Sequence, residues 1–207
     1  MALGPSMAWR PACLLLPALL LALPATAAPV TLTDITFSDE LGGVVLHGGS
    51  GTGTAQDPFV LIEDITDDGP AILVVRGLRS RLGQPLDSQR QLGFWLRKVV
   101  TNRTSRAWQS FELELREALE QPSSYEDGLS FGQATPHRRP FVSDRFATVE
   151  LDDEPLDALV FSDGLVAPGQ TVSVELLITD YTPTDRFFLL QRRDAPVAWL
   201  QRGPAGG

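Results

Sequence analysis

Short runs in which apolar and polar residues alternate occur along most of this 207-residue chain. The clearest run spans residues 171–178, and every second residue in it is apolar: Val172, Val174, Leu176 and Ile178. Alternation with a period of two is typical of a strand that buries one face. The pattern therefore predicts a strand here, with residues 156–161 as its antiparallel partner.

Similar runs follow one another along the chain, with turn residues between nearly all of them. The other predicted strands are residues 30–37, 44–47, 59–65, 72–78, 92–102, 129–131, 146–151 and 187–191. The predicted turns are Gly42-Gly43, Asp68-Gly69-Pro70, Gly83, Asp127-Gly128, Asp163-Gly164, Pro168-Gly169 and Pro183. Many short strands with regular turns predict an all-β, two-layer antiparallel β-sandwich, immunoglobulin-like or similar.

Residues 107–121 fit two patterns. Their apolar residues include a set with helical spacing, in a stretch rich in Glu, Leu, Arg and Ala, which favour helices. Phe111, Leu113 and Leu115 also alternate with charged residues, as in a half-buried strand. We predict a strand to about Leu115, then a short helical turn that ends at Pro122; a helix over 107–121 is the alternative.

The first 27 residues have the layout of a secretory signal peptide. Arg10 precedes an apolar run over 13–23, and Ala25-Thr26-Ala27 supplies small residues for cleavage. The run is roughly a dozen residues, against about 20 for a spanning helix. We predict cleavage after Ala27, a mature chain without a transmembrane anchor, a single domain over 28–199 and a flexible tail over 200–207. Residues 133–144 are predicted as exposed loop.

The cysteine content and the net charge limit the cellular compartments and the classes of partner that fit this chain. Cys13, in the predicted leader, is the only cysteine, so no disulfide is expected in the mature chain. The net charge of -9 opposes binding to nucleic acid, which depends on cationic contacts with phosphates. These features predict an acidic protein exported to the periplasm or the exterior of a bacterium.

Two stretches resemble exported bacterial β-sandwich proteins that accompany PEP-CTERM sorting. Leu96-Arg-Lys-Val-Val-Thr-Asn102 and Trp108-Gln-Ser-Phe111 are similar to a strand, an Asn-Thr turn and a Trp-x-x-Phe strand of those proteins. Leu165-Val-Ala-Pro168-Gly169 and Arg186-Phe-Phe-Leu-Leu-Gln191 are similar to their final hairpin and last strand. Residues 200–207 lack the Pro-Glu-Pro sorting motif, so the resemblance implies the fold and export but neither anchoring nor an activity.

Catalytic motifs are incomplete. His47-Gly48-Gly49 matches the His-Gly-Gly element of esterase oxyanion holes, but no Gly-x-Ser-x-Gly nucleophile elbow is present. The other histidine, His137, lies in a basic, proline-flanked segment. We therefore interpret the glycine run as a turn and predict no catalytic residues and no organic cofactor.

Carboxylates in two groups are candidate calcium ligands, because calcium takes six to eight oxygen ligands. The candidates are Asp64, Asp67, Asp68, Asp152, Asp153 and Glu154. Aspartates in turns also bond local backbone amides, and this interpretation is favoured over a metal site.

Aromatic residues suggest a second class of ligand, since exposed rings stack on sugars. Trp95 and Trp108 lie in or near strands and are expected in the core. Trp199 is expected either to dock on the domain or to contact a partner, and Tyr125 and Tyr181 complete the set. The leading hypothesis is a non-enzymatic structural or interaction module with an envelope protein as partner. The alternatives are a carbohydrate-recognition module that binds polysaccharide and an unrecognised hydrolase.

Overall fold

The computed structural model describes residues 28–81, 92–123, 125–132, 141–152 and 156–194. These ranges hold thirteen strands and two short 3-10 helices, Leu78–Arg81 and Tyr125–Asp127. The strands are β1 (Val30–Leu32), β2 (Ile35–Ser38), β3 (Val44–Ser50), β4 (Phe59–Ile65), β5 (Ala71–Arg76), β6 (Leu92–Asn102), β7 (Phe111–Arg116), β8 (Leu129–Ser130), β9 (Val142–Ser143), β10 (Phe146–Asp152), β11 (Ala158–Gly164), β12 (Thr171–Asp180) and β13 (Arg186–Arg193). None of the helices in the described ranges is long and apolar enough to cross a membrane.

The strands form two sheets. Sheet A has seven strands in the order β1-β2-β5-β13-β7-β11-β10, and sheet B has six, β3-β4-β6-β12-β8 with β9 also paired to β12. Inward residues from both sheets make one apolar cluster, which is consistent with a β-sandwich. The prediction of an all-β fold is confirmed. The antiparallel part of that prediction is wrong at one place, because β4 and β6 are parallel; β5, between them in the chain, lies in sheet A.

Period-two alternation determines which side chains fill the interior. On β6, Leu92, Phe94 and Leu96 point inward and are buried. Phe94 packs against Phe37 and Phe59, with ring centroids 5.8 and 5.5 Å away in edge or tilted geometry. Each such aromatic pair adds about 0.5–1.5 kcal/mol beyond its buried area. This cluster binds sheet A to sheet B at one end of the core.

The predicted bounds of β4 and β6 are confirmed to the residue, and most other predicted strands lie within a few residues of an observed one. The single strand predicted over 30–37 is wrong. Thr33 has a φ of 54°, so the chain turns there and β1 folds back on β2. Arg81 holds this turn through hydrogen bonds to Asp34 Oδ1 (2.9 Å) and Thr33 Oγ1 (3.1 Å).

The predicted partnership of residues 156–161 with 171–178 is also wrong. β11 pairs with β10 and β7 in sheet A, whereas β12 pairs with β6 in sheet B, so residues 165–170 cross between the sheets. Val166 and Trp108 exchange two backbone hydrogen bonds of 3.0 Å, which hold this crossing in place. Pro168-Gly169 makes the expected turn, with a φ of 80° at Gly169. Asp163-Gly164 does not; it ends β11, with a φ of 57° at Asp163.

The strand prediction for residues up to Leu115 is confirmed, because β7 pairs with β13 and β11 and buries Phe111, Leu113 and Leu115. The helical turn after it is reduced to one hydrogen-bonded turn, in which Gln121 donates to the Ala118 carbonyl at 3.1 Å. No helix lies between β7 and residue 123 in the described chain.

The exposed loop predicted over 133–144 is partly wrong. Phe141 is buried, and the following residues form β9 against β12. Residues 133–140 lie outside the described residues, as do the predicted leader 1–27, the tail 200–207, Gly83, His137 and Trp199.

Asn102, at the end of β6, organises the turn that leads to Trp108. Its side chain donates to the carbonyls of Arg106 (2.7 Å) and Val166 (2.9 Å) and accepts from the amide and hydroxyl of Thr104 (2.9 and 2.7 Å). Thr104 Oγ1 in turn accepts from the Trp108 indole at 3.2 Å. Asn102 is fully buried, so these bonds replace all of its contact with water. Asn102-Arg103-Thr104, which matches the N-glycosylation pattern Asn-x-Thr, is therefore a structural turn.

We predict that Asn102→Ala lowers the free energy of unfolding by about 3 kcal/mol, because it leaves buried backbone groups without partners. Guanidinium unfolding followed by tryptophan fluorescence measures the change. Arg103→Ala is the control; its exposed ion pair with Asp64 is worth at most about 1 kcal/mol. Equal midpoints for Asn102→Ala and the unsubstituted protein would contradict this role.

Candidate functional site

The outer face of sheet B carries a strip of apolar side chains beside its edge strand. We call Val45, Val60, Ile62, Trp95 and Val99 the sheet B strip. Ile62 and Val99 are direct neighbours across β4 and β6. Ile62 is 49% exposed and Val45 37% exposed, while the other three are half-buried. Exposed apolar side chains that lie near one another on one face are a common property of interaction sites.

Charged groups lie in and beside the strip. His47 Nε2 and Arg103 Nε each lie 3.0 Å from Asp64 Oδ2, at one end. Burial opposes ionisation of Asp64, but the hydrogen bonds from His47 and Arg103 and the charge of Arg103 outweigh it and lower its pKa. Arg97 lies within the strip, opposite Val60 and between Trp95 and Val99, and its Nε donates to Glu175 Oε1 at 2.7 Å. The charged groups in and beside the strip are thus paired with one another.

The turn interpretation is wrong for Gly48 and Gly49, which belong to β3 and pair with Ile62 and Leu61 after a β-bulge. The connection from β3 to β4 begins at Gly51. The amides of Thr52, Gly53 and Thr54 all donate to the Asp57 carbonyl, at 3.1, 2.9 and 3.1 Å. Gly51 has a φ of 92°, and a Cβ there would lie 2.0 Å from the Pro58 carbonyl oxygen. The backbone geometry therefore requires glycine at this position, in agreement with a turn.

The structure separates the predicted calcium ligands. Asp64 bonds His47 and Arg103 on the outer face of sheet B, Asp67 Oδ1 accepts from the Gly69 amide at 2.8 Å, and Asp68 Oδ1 lies 3.6 Å from Arg106. Among the described residues no three of His, Cys, Asp or Glu are placed to hold a metal ion.

The second calcium group is only half described. Asp152 ends β10 opposite Ala158, and Asp153 and Glu154 lie outside the described residues. Calcium binding at either group stays a prediction.

The aromatic candidates are dispersed. Trp108 is 1% exposed, as expected for a core residue, and Trp95 lies half-buried on the sheet B strip. Tyr181 is 41% exposed in the turn from β12 to β13. That turn and Arg79 line a shallow depression of about 500 Å³. The described residues thus place one indole, rather than a pair of rings, on the strip.

A buried polar site lies inside the sandwich, between the two sheets. Lys98 Nζ contacts Glu63 Oε1, and Gln191 Nε2 donates to Glu63 Oε2 at 3.1 Å. All three side chains are fully buried. Complete burial lowers the pKa of Lys98, while the charge and hydrogen bond of Glu63 act against that shift. Glu63 and Lys98 come from sheet B and Gln191 from sheet A, so this triad joins the two layers.

The sequence carries two indications of this triad that strand prediction alone leaves unused. Period two places Glu63 on the apolar face of β4, and Lys98 on the face of β6 that also carries Leu96. Lys98 is also the only lysine in a chain with sixteen arginines. A charged residue on the inward face of a strand predicts a buried partner.

Comparison with protein families, with curated proteins and with solved structures finds no match to this chain.

Three carboxyl groups approach one another at the end of β12. Asp180 is 1% exposed, and its Oδ1 accepts from the Thr182 amide at 2.8 Å. The pKa of Asp180 is raised to about 7, chiefly by burial and also by the charges of Glu117 and Asp127, while the hydrogen bond from the Thr182 amide acts in the opposite direction. Burial, followed by the charge of Asp127, also raises the pKa of Glu117. The hairpin from β12 to β13 therefore contains a group that titrates near neutrality.

We predict that stability falls as pH rises from about 4 to about 7. In that window the folded protein retains the Asp180 proton that the unfolded chain has released, so unfolding is favoured as pH increases. The loss is up to about 4 kcal/mol. Thermal melting across this window should show the slope for the unsubstituted protein and for Asp185→Asn, whose residue is exposed. Asp180→Asn should flatten it; an unchanged slope in that variant would contradict the assignment.

Proposed function

We propose that this protein is an exported, non-enzymatic interaction module with an immunoglobulin-like or similar sandwich. We place it in the periplasm or outside the cell, with its leader removed after Ala27. Its partner is another protein of the envelope. The support for export is the leader pattern of residues 1–27 and the resemblance to exported bacterial sandwich proteins.

The observation that carries the proposal is the sheet B strip. Its most exposed member, Ile62, is aliphatic and adjoins Val99 across the strands. Protein interfaces combine a centre depleted in charge with a polar margin, and arginine is enriched in them. Arg97 lies within the strip and Arg103 at its end, and each is already paired with a carboxylate. A partner that covers Ile62 would bury apolar surface without stripping an unpaired charge of water.

Trp95 supports a second candidate, a carbohydrate-recognition module. The indole lies half-buried on the same face, and aromatic rings give sugars a flat apolar surface. One ring offers less stacking area than a pair, and the strip is otherwise aliphatic. A protein partner is therefore the first proposal and a polysaccharide the second.

We predict that Ile62→Glu abolishes capture of the partner protein from the native envelope by the tagged mature chain, because it places a charge at the apolar centre. The measurement is quantitative mass spectrometry of the retained proteins. Leu165→Glu is the matched control, since Leu165 is 53% exposed and lies outside the strip.

The expected result is a partner retained by the unsubstituted and Leu165→Glu proteins and lost by at least tenfold with Ile62→Glu, which corresponds to about 1.4 kcal/mol or more. Retention of the same proteins by both variants would overturn the proposal. Binding to immobilised polysaccharide that Trp95→Ala removes would favour the carbohydrate alternative instead.

A further inference from the structure

The only lysine of the chain is placed where an ammonium ion is least stable. Lys98 lies in the middle of β6 with its side chain on the core side and no exposure to solvent. Arginine occupies every other basic position, sixteen in all. Arginine keeps its proton in proteins, whereas a buried lysine releases it readily. The one position where a neutral amine can form is thus the one position that has lysine.

Glu63 connects this amine to a carboxamide. One carboxylate oxygen contacts Lys98 Nζ, and the other accepts from Gln191 Nε2 at 3.1 Å. Both nitrogen atoms therefore contact the same carboxyl group, one on each oxygen. Gln191 Oε1 is buried and has no hydrogen-bond partner in the described residues, so the carboxamide is only half satisfied.

Burial makes the two opposite charges of Lys98 and Glu63 costly to maintain. Transfer of a proton from Lys98 to Glu63 replaces two buried charges with an amine and a carboxylic acid, which removes most of the cost of desolvation. Complete burial also lowers the pKa of Lys98, in the direction that frees the amine. A neutral amine is a nucleophile, and a carboxyl group that touches both nitrogens is placed to move a proton between them.

We propose that Lys98 and Gln191 form an intramolecular amide crosslink, with Glu63 as the proton carrier. The inference does not depend on the proposed binding function. Lys98 Nζ attacks Gln191 Cδ and forms a new C–N bond. Glu63 takes two protons in turn from Nζ and delivers both to Nε2, and the Cδ–Nε2 bond then breaks. The nitrogen leaves as ammonium, so the protein loses the mass of one ammonia. The carboxylate is regenerated, and no oxidant, reductant or other reactant is consumed.

The position of Glu63 decides which carbonyl carbon reacts. If Glu63 were itself the acyl partner, the reaction would release water and would remove the one carboxyl group that contacts both nitrogens. With Gln191 as acyl partner, the same group serves both as base toward Nζ and as acid toward Nε2. The two products differ in mass, so the choice is testable.

Such a bond would join β6 of sheet B to β13 of sheet A through the interior. It would link residues far apart in sequence, as a disulfide can, in a mature chain that has no cysteine. Because the site is in the core, the bond would form only after the two sheets have packed.

The first experiment is the intact mass of the purified mature protein under denaturing conditions, with peptide mapping to fix its amino terminus. The proposal expects a mass lower than the sequence mass by one ammonia, and a linked pair of peptides that contain Lys98 and Gln191. The full sequence mass would overturn it. A mass lower by one water, mapped to Lys98 and Glu63, would also overturn the assignment to Gln191.

The second experiment uses the fact that the chain has one lysine. Lysyl endopeptidase should cut the denatured, uncrosslinked chain once, after Lys98. A crosslinked Lys98 has no free amine, so the denatured unsubstituted protein should resist cleavage. One complete cut would overturn the proposal.

Gln191→Leu keeps the lysine but removes the acyl group, and Glu63→Gln removes the proton carrier. Both proteins should have their full masses and be cut once. Circular dichroism and melting establish that each variant is folded. If either variant fails to fold, the mass and the digest of the unsubstituted protein still decide. A folded Glu63→Gln protein that loses ammonia between Lys98 and Gln191 would overturn the role of Glu63.

Discussion

The structure depends on keeping Lys98 and Glu63 in contact where water cannot reach them. Glu63 and Lys98 face the interior from neighbouring strands of sheet B, and Gln191 meets them from sheet A. A buried ion pair rarely adds much net stability over apolar side chains of the same volume, but the loss of one partner costs about 3–5 kcal/mol. The pair therefore bears on geometry, because Glu63 contacts Lys98 within sheet B and accepts a hydrogen bond from Gln191 across the core.

Strand positions were predictable because they are local. β4 and β6 are runs rich in apolar and β-branched residues that give way to polar or turn residues at their ends, so the predicted bounds agree with the structure to the residue. The hairpin between β1 and β2 was not predicted, because residues 30–37 contain no glycine or proline and the turn relies on Thr33, a residue that seldom adopts positive φ. β7 was correctly preferred over a helix, since its alternate residues match two flanking strands.

Partners of strands were not predictable in the same way. β11 and β12 are consecutive in sequence and separated by a good turn, yet they belong to different layers. The crossing is held by backbone hydrogen bonds between Val166 and Trp108, which lie far apart in the sequence. For the buried site, the sequence shows that Lys98 is the single lysine and that Glu63 lies on the inward face of its strand. The contact of Gln191 with Glu63 depends on how the sheets stack, which the sequence does not show. The sheet B strip likewise needs the parallel register that sets Ile62 beside Val99.

The order of strands in sheet A has a consequence for how the molecule is made. β13 occupies the central place of that sheet, between β5 and β7, although it is the last strand in the described chain. A ribosome releases residues 186–193 after all the other strands, so the middle of the layer stays empty while they emerge. The seven-stranded layer is therefore complete only once this late segment has been made.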